Sequence, residues 1–414
     1  MAIASARDLV ETLSRGRLLE VDQLSELNHS LPARPDDPLV LARELLQRGW
    51  LTPYQINQLF QGHAGDLILG HYVLLERLGE GGMGQVFKAR EVRLGRLVAL
   101  KVLRKERINK PEIIDRFHQE IQAAAQLSHP NIVHAYDAEL IGDAHVFAME
   151  YVDGIDLSRL VKQSGPLPVA QACECIRQAA LGLQHIHEHD MVHRDIKPAN
   201  LMWANPSGTV KILDMGLARL REEAAEQAKA KRLTRLGVVM GTIDFIAPEQ
   251  ALDSRRADIR SDLYGLGCTF YFLLTAKVPF AIDEPMAKLL AHSCETAVPI
   301  EQLRPQVPAR VSAIVGKLMA KRPDERYQTP AELILDLAAL SPVPVATAAP
   351  LPPRAIPVAD TCSDPPPPTA ILVSRMDTVT APLPSAQEPW RGRIWIAAIV
   401  IFSLLLLGLL VCLF

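Results

Sequence analysis

The sequence predicts an α+β protein in which a small antiparallel β lobe is followed by a larger helical lobe. Short apolar runs separated by glycines fill residues 72–108, and a helix is expected from about Pro111. Helical periodicity dominates from about residue 155 onward, apart from short strands near His193 and Asp214. A helical module precedes the two lobes, and a proline-rich linker leads to an uncharged C-terminal segment. A chain of 414 residues is long enough for this number of domains.

Residues 1–66 are predicted to form a small helical module. Leu9, Val10 and Leu13 recur at helical spacing, and Gly49 is placed to end a helix. The next helix begins at the run Thr52-Pro53-Tyr54-Gln55, which reads as an N-cap, a first-turn proline and a capping-box glutamine. A docking or oligomerisation role competes with simple packing against the next domain, and packing is the simpler interpretation.

Composition argues against a nucleic-acid partner. The chain has 44 basic and 47 acidic residues, for a net charge of −3, so it carries no overall polycationic field. Its six cysteines are scattered without the paired spacing of a metal site, which indicates a reducing compartment.

A glycine-rich segment lies early in the β lobe. Residues 79–86 read GEGGMGQV and fit the pattern G-x-G-x-x-G-x-V, in which missing β-carbons let backbone amides approach phosphates. A dinucleotide-binding fold would need a helix directly after the glycines. Here a strand follows and then Lys101 in an apolar run, so the dinucleotide interpretation is disfavoured.

The segment HRDIKPAN, residues 193–200, places an acid, a cation and an amide within one loop. Fourteen residues after Asn200 comes Asp214, which adds a second oxygen ligand of the kind that Mg²⁺ prefers. Together these groups can hold a hydroxyl, a γ-phosphate and a metal ion, which are the parts of a phosphoryl-transfer site.

In the order of these motifs the chain resembles the eukaryotic-like (Hanks-type) protein kinases, and more closely their bacterial serine/threonine branch. The resemblance covers roughly residues 72–340, with a smaller lobe at 72–150 and a larger lobe at 151–340. It implies the two-lobed protein kinase fold, with ATP in the cleft and Mg²⁺ as cofactor. The implied reaction is transfer of the γ-phosphoryl group to serine and threonine hydroxyls of proteins. A homodimer that autophosphorylates is compatible with it.

The resemblance also assigns roles to individual residues. Asp195 would accept or orient the proton of the substrate hydroxyl, with Lys197 balancing charge on the γ-phosphate, and Asn200 and Asp214 would bind Mg²⁺. Glu120 would pair with Lys101, Met149 would border the adenine pocket, and Asp156 would touch the ribose. The implied nucleotide-contacting set is Leu78, Gly79, Gly81, Gly84, Val86, Ala99, Lys101, Glu120, Glu150 and Val152.

An activation segment is expected between Asp214 and Glu249. Thr234 lies in a basic stretch of it, and a phosphate there could be bound by Arg194, so autophosphorylation at Thr234 is expected to raise activity. Met215 stands where the family usually has phenylalanine. Thr242 is expected to contact the catalytic residues. Structural roles are implied for the ion pair Glu249–Arg326 and for Asp262, which would brace the catalytic loop.

Two other classes of function fit the sequence less well. A pseudokinase scaffold usually lacks one of the lysine, the catalytic acid or the metal-binding acid, whereas this chain keeps Lys101, Asp195 and Asp214. A small-molecule kinase of related fold is disfavoured by HPNIV at 129–133 and by APE at 247–249.

The C-terminal part is predicted to tether the protein to a membrane. Residues 341–390 are crowded with proline and should form an extended spacer, although such prolines could also be ligands of SH3-like domains. Residues 394–414 carry no charge and as a helix would reach about 30 Å, the thickness of a bilayer core. A buried core helix is the alternative. Arg391 and Arg393 precede the segment, so a single-pass protein with a cytoplasmic kinase domain is expected.

Overall fold

The structure is a computed structural model of the chain, and it describes residues 3–31, 36–81, 84–103, 121, 124–214 and 243–340. All of these residues belong to one compact unit. The helix expected from about residue 111, residue Glu120, the proline-rich linker and the apolar C-terminal segment lie outside the described residues. Within the described residues, no helix combines the length and apolarity needed to cross a bilayer.

Four helices precede the sheet: α1 (Ala6–Arg15), α2 (Val21–Ser30), α3 (Pro38–Gln47) and α4 (Pro53–Phe60). The predicted signals operate as expected at α4. The Thr52 side chain accepts from the backbone of Gln55, the Gln55 side chain accepts from the backbone of Thr52, and Pro53 occupies the first turn. Gly49 follows α3 with a φ of 67°, a left-handed conformation that glycine adopts without strain.

The smaller lobe is a six-stranded antiparallel sheet in the order β1-β2-β3-β4-β6-β5. It curls, so that its two edges approach each other. A β-carbon on Gly70, beside the β1 edge, would lie 2.9 Å from Ile141 at the end of β5. The curled sheet encloses an apolar cluster centred on Tyr72, Phe87 and Leu100. The strands are β1 (Ile68–Leu69), β2 (Tyr72–Gly81), β3 (Gly84–Glu91), β4 (Arg96–Leu103), β5 (Ala135–Ile141) and β6 (Ala144–Glu150).

The core of the N-terminal helices continues into this sheet. Val73 and Leu75 of β2 belong to the same buried cluster as Leu9, Leu45 and Leu59 of the helices. The helices therefore pack directly on β2, which agrees with the packing interpretation of residues 1–66.

The larger lobe is mainly helical and is built around α8, most of whose residues are buried. The helices are α5 (Leu157–Ser164), α6 (Val169–Glu188), α7 (Pro248–Leu252), α8 (Ile259–Thr275), α9 (Pro285–Cys294), α10 (Ile300–Leu303), α11 (Ala309–Leu318) and α12 (Pro330–Ala338).

A three-stranded antiparallel sheet combines one strand at the start of the larger lobe with two strands from later in the same lobe. It contains β7 (Gly154–Asp156), β8 (Leu201–Ala204) and β9 (Val210–Ile212) in that order. The sequence predicted short strands near His193 and Asp214. The second is confirmed as β9, but the first is wrong, because the backbone at His193 bonds a side chain of α8 rather than another strand.

Candidate active site

The β8–β9 hairpin brings Asn200 and Asp214 together. Leu201 is paired with Ile212, and one residue further along, the backbone N–H of Leu213 donates to the carbonyl of Asn200 at 2.9 Å. Asn200 and Asp214 therefore stand at the same end of the hairpin, although fourteen positions separate them in the sequence. This register is the structural reason that the two predicted metal ligands are neighbours.

Residues 193–200 form the loop that the resemblance identifies as the catalytic loop. Its polar groups point toward this end of the hairpin. The amide nitrogen of Asn200 donates to the backbone carbonyl of Asp195 at 2.7 Å and to its Oδ2 at 3.1 Å. The Lys197 Nζ lies 2.8 Å from each carboxylate oxygen of Asp195. Asp195 is thus bonded by a cation and an amide, which fixes its orientation.

The donor set is suited to Mg²⁺. The nitrogen of the Asn200 amide faces Asp195, so the Oδ1 atom is the one that can bind a cation, and Asp214 supplies carboxylate oxygens. Mg²⁺ prefers such oxygen ligands and is held in phosphotransfer sites by one or two protein groups together with substrate phosphates. The residues present therefore fit the ion that the sequence implied.

The catalytic loop is fastened from below by Asp262 of α8. Its carboxylate accepts the backbone N–H of His193 at 2.7 Å and that of Arg194 at 2.6 Å. Burial raises the pKa of Asp262 to about 6, against the opposing effect of His193 and Arg194. His193 is itself buried, and its Nε2 lies 2.7 Å from the carbonyl of Leu213, so it joins the loop to the residue before Asp214. Asp262 thus has the bracing role that the sequence implied.

Lys101 lies in the middle of β4, between Val86 of β3 and Phe147 of β6. Only 5% of the residue is exposed, and its Nζ is 2.7 Å from Oδ1 of Asp214. A buried ammonium group needs such an anion to offset the loss of hydration. The predicted partner, Glu120, lies outside the described residues. The described contact brings together the lysine that the resemblance assigns to phosphate binding and the acid that it assigns to Mg²⁺.

The glycine-rich segment joins β2 and β3. Gly79 pairs with Val86 and Gly81 with Gly84, while residues 82 and 83 lie outside the described residues. The glycines serve different purposes. A β-carbon on Gly79 would meet no atom within 4 Å, whereas one on Gly84 would lie 2.0 Å from the carbonyl oxygen of Val102. Gly84 is therefore required by the close approach of β4, a reason that the phosphate-binding motif did not reveal.

The predicted walls of the adenine pocket meet in one apolar cluster. Leu78 of β2, Ala99 of β4, Met149 of β6 and Val152 belong to it. Val86 is paired with Lys101 and is partly exposed. These residues come from separate strands, so their convergence depends on the curl of the sheet.

Two side chains next to the pocket have other partners. The Glu150 carboxylate lies 2.9 Å from the Nζ of Lys211 and accepts the backbone N–H of His134 at 3.2 Å. Asp156 caps α5 by accepting the backbone N–H of Arg159 at 2.9 Å. The ribose contact expected of Asp156 therefore competes with a helix cap.

Comparison with known families decides what this arrangement belongs to. The sequence profile of the protein kinase domain matches residues 72–336, well over half of the chain. The chain belongs to the protein kinase family. The match begins at the first residue of β2 and ends within α12, so it spans both lobes of the kinase and leaves out α1 to α4.

Curated relatives of this kinase are bacterial serine/threonine-protein kinases. PknB of Mycolicibacterium smegmatis is 41% identical over 273 residues, which is 64% of this chain and 42% of that protein. PknB of Mycobacterium leprae is 40% identical with the same shares. A probable serine/threonine-protein kinase of Corynebacterium efficiens is 37% identical over 315 residues, 73% of this chain and 47% of that protein. The chain thus spans less than half the length of these relatives, and it is a kinase of the bacterial Hanks type.

Solved structures agree on the fold. The kinase domain of PknI from Mycobacterium tuberculosis matches with a TM-score of 0.51 at 23% identity, covering 66% of this chain and 98% of that domain. At this identity the likeness shows the two-lobed fold, with its curled sheet and helical lobe.

The expected anchor of the kinase activation segment is present. Glu249 at the start of α7 forms a two-pronged ion pair with Arg326, with nitrogen–oxygen distances of 2.7 and 2.8 Å. Burial would raise the pKa of Glu249, but the bonds from Arg326 and Ser261 outweigh it and lower the pKa. Arg326 also donates to the backbone carbonyl oxygens of Arg260, Ala320 and Lys321.

Sequence reasoning missed some contacts that support the site. Gln250 donates to the backbone carbonyl of Arg194 at 2.7 Å, and Gln55 donates to that of Leu74 at 2.9 Å. Glutamine is a common residue in helices, and the motif around Gln55 indicated only a helix cap. Met215, Thr234 and Thr242 were also given roles, but they lie outside the described residues.

Proposed function

We propose that this chain is an active serine/threonine protein kinase that transfers the γ-phosphoryl group of Mg-ATP to protein hydroxyls. The observation that carries this proposal is the convergence of Asp195, Lys197, Asn200 and Asp214 at one end of the β8–β9 hairpin, with Lys101 bonded to Asp214. An acid, two cations and two oxygen ligands are the groups that phosphoryl transfer requires.

In the proposed reaction each group has its own task. Asp195 orients the serine or threonine hydroxyl and receives its proton as the new O–P bond forms and the bond between the γ-phosphorus and the bridging oxygen breaks. Lys197, held beside Asp195, stabilises negative charge on the transferred group. Lys101 binds the α- and β-phosphates. The Mg²⁺ ion, when held by Asn200 and Asp214, neutralises phosphate charge.

A pseudokinase scaffold is the competing function, and turnover distinguishes the two. The full chain would be incubated with radiolabelled Mg-ATP and a generic protein substrate, beside Asp195→Ala. Loss of a general base costs about 10²- to 10⁴-fold in rate, so incorporation should fall by that factor. Asp190→Ala removes an exposed carboxylate five residues before Asp195; it is the matched control and should retain activity. Equal incorporation by wild type and Asp195→Ala would contradict the proposal.

We further propose that the kinase is anchored in a membrane by residues 394–414, with the proline-rich residues 341–390 as a spacer. The support is the uncharged length of the segment and the two arginines before it, Arg391 and Arg393. By the positive-inside rule, these arginines favour a cytoplasmic kinase domain.

Autophosphorylation at Thr234 is proposed as the activating event. The residues around it are basic, and Arg194 lies next to the catalytic acid, where it can bind a phosphate from the activation segment. A homodimer, in which one copy phosphorylates the other, is the arrangement that would deliver Thr234 to a second active site.

A further inference from the structure

Strand β2, which leads into the glycine-rich hairpin, is only partly covered by other strands. On one side it pairs with β3 along its length, but on the other side β1 reaches only as far as Val73. The register with β3 also shifts between Leu74 and Glu76, which marks a bulge at Leu75. A bulge on an uncovered strand leaves carbonyl groups that need partners from elsewhere.

Helix α4 supplies those partners through the two residues of its capping box. The amide nitrogen of Gln55 donates to the carbonyl of Leu74 at 2.9 Å, and the hydroxyl of Thr52 donates to the carbonyl of Leu75. Gln55 is 1% exposed, which is unusual for this polar residue. Its Oε1 accepts the N–H of Thr52 at 2.9 Å, and its own N–H donates to the Thr52 hydroxyl at 3.2 Å. The two side chains hold each other in place while both bind the bulge.

Apolar packing joins the same surfaces. Leu75 lies in the core of the N-terminal helices, and Tyr54 of α4 packs against Phe87 of β3, with ring centroids 6.2 Å apart. Helix α4 therefore touches both strands of the hairpin. The bulge is four residues before Gly79, about 13 Å along a strand, and a second register shift lies between Arg77 and Gly79. The bulge therefore orients the base of the hairpin that carries the glycine-rich turn.

We propose that Gln55 and Thr52 are positioning residues for ATP: by fixing the bulge of β2 they hold the glycine-rich hairpin over the phosphates. This inference rests on the proposed kinase function. Residues 1–60 lie outside the matched kinase domain. In this proposal, therefore, the affinity for the nucleotide depends on α4, a helix that is not part of that domain. A hairpin with a looser base is less often in the binding-competent position, and the apparent affinity falls in proportion.

The test compares ligands with and without phosphates on the full chain purified in detergent. Gln55→Met removes the amide and keeps the length of the side chain. We expect the dissociation constant of Mg-ATP and its KM to rise about 5- to 10-fold, as for loss of one buried hydrogen bond. The dissociation constant of adenosine, which lacks phosphates, should rise by a clearly smaller factor, because adenosine can contact only the apolar side chains Leu78 and Val86 of this hairpin, and kcat should change little.

Two controls separate positioning from general damage. Gln58→Met alters the same residue type one turn further along α4, where the amide bonds Gln61 at 3.5 Å, and should leave both affinities unchanged. Thr52→Ser keeps the hydroxyl and should bind Mg-ATP like wild type, whereas Thr52→Val removes it and should show the loss. The Thr52 pair also serves if Gln55→Met does not fold.

The outcomes are distinct. Equal weakening of Mg-ATP and adenosine, or unchanged Mg-ATP binding in both Gln55→Met and Thr52→Val, would overturn the positioning role while leaving the kinase function intact. A wild-type chain that binds no Mg-ATP would instead overturn the proposed function and the inference with it.

Discussion

Asp262 illustrates how a residue of a different element can hold the loop that carries Asp195 in place. It is buried in α8, and its two oxygens accept the backbone N–H groups of His193 and Arg194. Water is excluded, so the carboxylate is supported by these two donors. The loop that carries Asp195 is therefore held by a group whose own charge is costly.

The raised pKa of Asp262 makes stability depend on pH in a defined direction. Its pKa is about 6 in the folded chain, against an ordinary value of 3.8. The folded state binds this proton more tightly, so the stability that the group contributes is present below about pH 4 and is lost as pH rises through 6. Relative to Asp262→Asn, the wild-type free energy of unfolding should fall by about 2 kcal/mol between pH 4 and pH 7.

Denaturant titrations of the two chains at pH 4, 5, 6 and 7 would measure this difference. Comparing the two chains cancels other titrating groups, including Glu249, whose lowered pKa has the opposite effect. A difference in stability that does not change with pH would contradict the assignment.

At the scale of single residues, the sequence was enough to predict which side chains lie together where those side chains belong to one short motif. Asp195, Lys197 and Asn200 are within six positions of each other, and the structure brings them together. It was insufficient where a contact depends on strand pairing. The clash that a side chain at Gly84 would cause with Val102 arises from the β3–β4 register, which no local pattern specifies.

Gly79 and Gly84 of the glycine-rich hairpin are expected to respond differently to replacement by alanine. Gly84→Ala would push against the backbone of β4, because its β-carbon would lie 2.0 Å from the Val102 carbonyl oxygen. We expect it to destabilise the chain by about 1–3 kcal/mol, as overpacking does, and to weaken Mg-ATP binding with it. Gly79→Ala, which meets no such atom, is the matched control and should keep the stability of wild type within about 0.5 kcal/mol.

Thermal unfolding of both variants would check this expectation. Equal loss of stability for Gly79→Ala and Gly84→Ala would show that the strand contact is not the reason for Gly84.

The activation segment supplies a second prediction at the scale of elements. A phosphate on Thr234 adds charge that Arg194 can bind, and this should order the segment. Thr234→Ala should therefore lower the rate of phosphorylation of a protein substrate by about 10-fold or more after preincubation with ATP, since one charge-assisted hydrogen bond contributes about 1.5–3 kcal/mol. The substrate rate and the mass of the segment before and after preincubation would be measured.

Thr209→Ala, in the loop between β8 and β9, is the control and should respond to preincubation like wild type. An unchanged rate for Thr234→Ala would contradict the proposed switch.

The ends of helices and strands were predictable where the residues that determine them are adjacent in the sequence. The capping box at Thr52 and the helix end at Gly49 were both predictable, and both occur in the structure. Adjacent residues do not determine which other element a helix or strand packs against. No local pattern indicated that α4 would bind β2, because Gln55 bonds the helix cap and the strand at the same time.

At the scale of the whole molecule, the two lobes followed from periodicity and from motif order, since strands precede Lys101 and helices dominate after Asp156. The kinase domain accounts for residues 72–336, and the four helices before it share a core with β2. That shared core could not be read from the sequence, because apolar helix faces do not specify which surface covers them.

The proposed membrane anchor predicts how the full chain partitions. In a flotation experiment with lipid vesicles after a carbonate wash, the full chain should rise with the lipid and a variant lacking 394–414 should remain below. A double variant, Leu405→Arg with Leu406→Arg, keeps the length but places charges at the centre of the segment. Each charge costs about 2.5–3.5 kcal/mol there, so this variant should also remain below. Flotation of the truncated chain would contradict the anchor.

Phosphoamino-acid analysis of a protein substrate, after incubation of the full chain with Mg²⁺ and γ-labelled ATP, would decide whether the chain is a serine/threonine kinase. We expect label on phosphoserine and phosphothreonine, dependent on Mg²⁺ and lost in Asp214→Asn, which removes the carboxylate proposed to bind the metal. Label that persists in Asp214→Asn, or an absence of labelled phosphoserine and phosphothreonine with wild type, would contradict it.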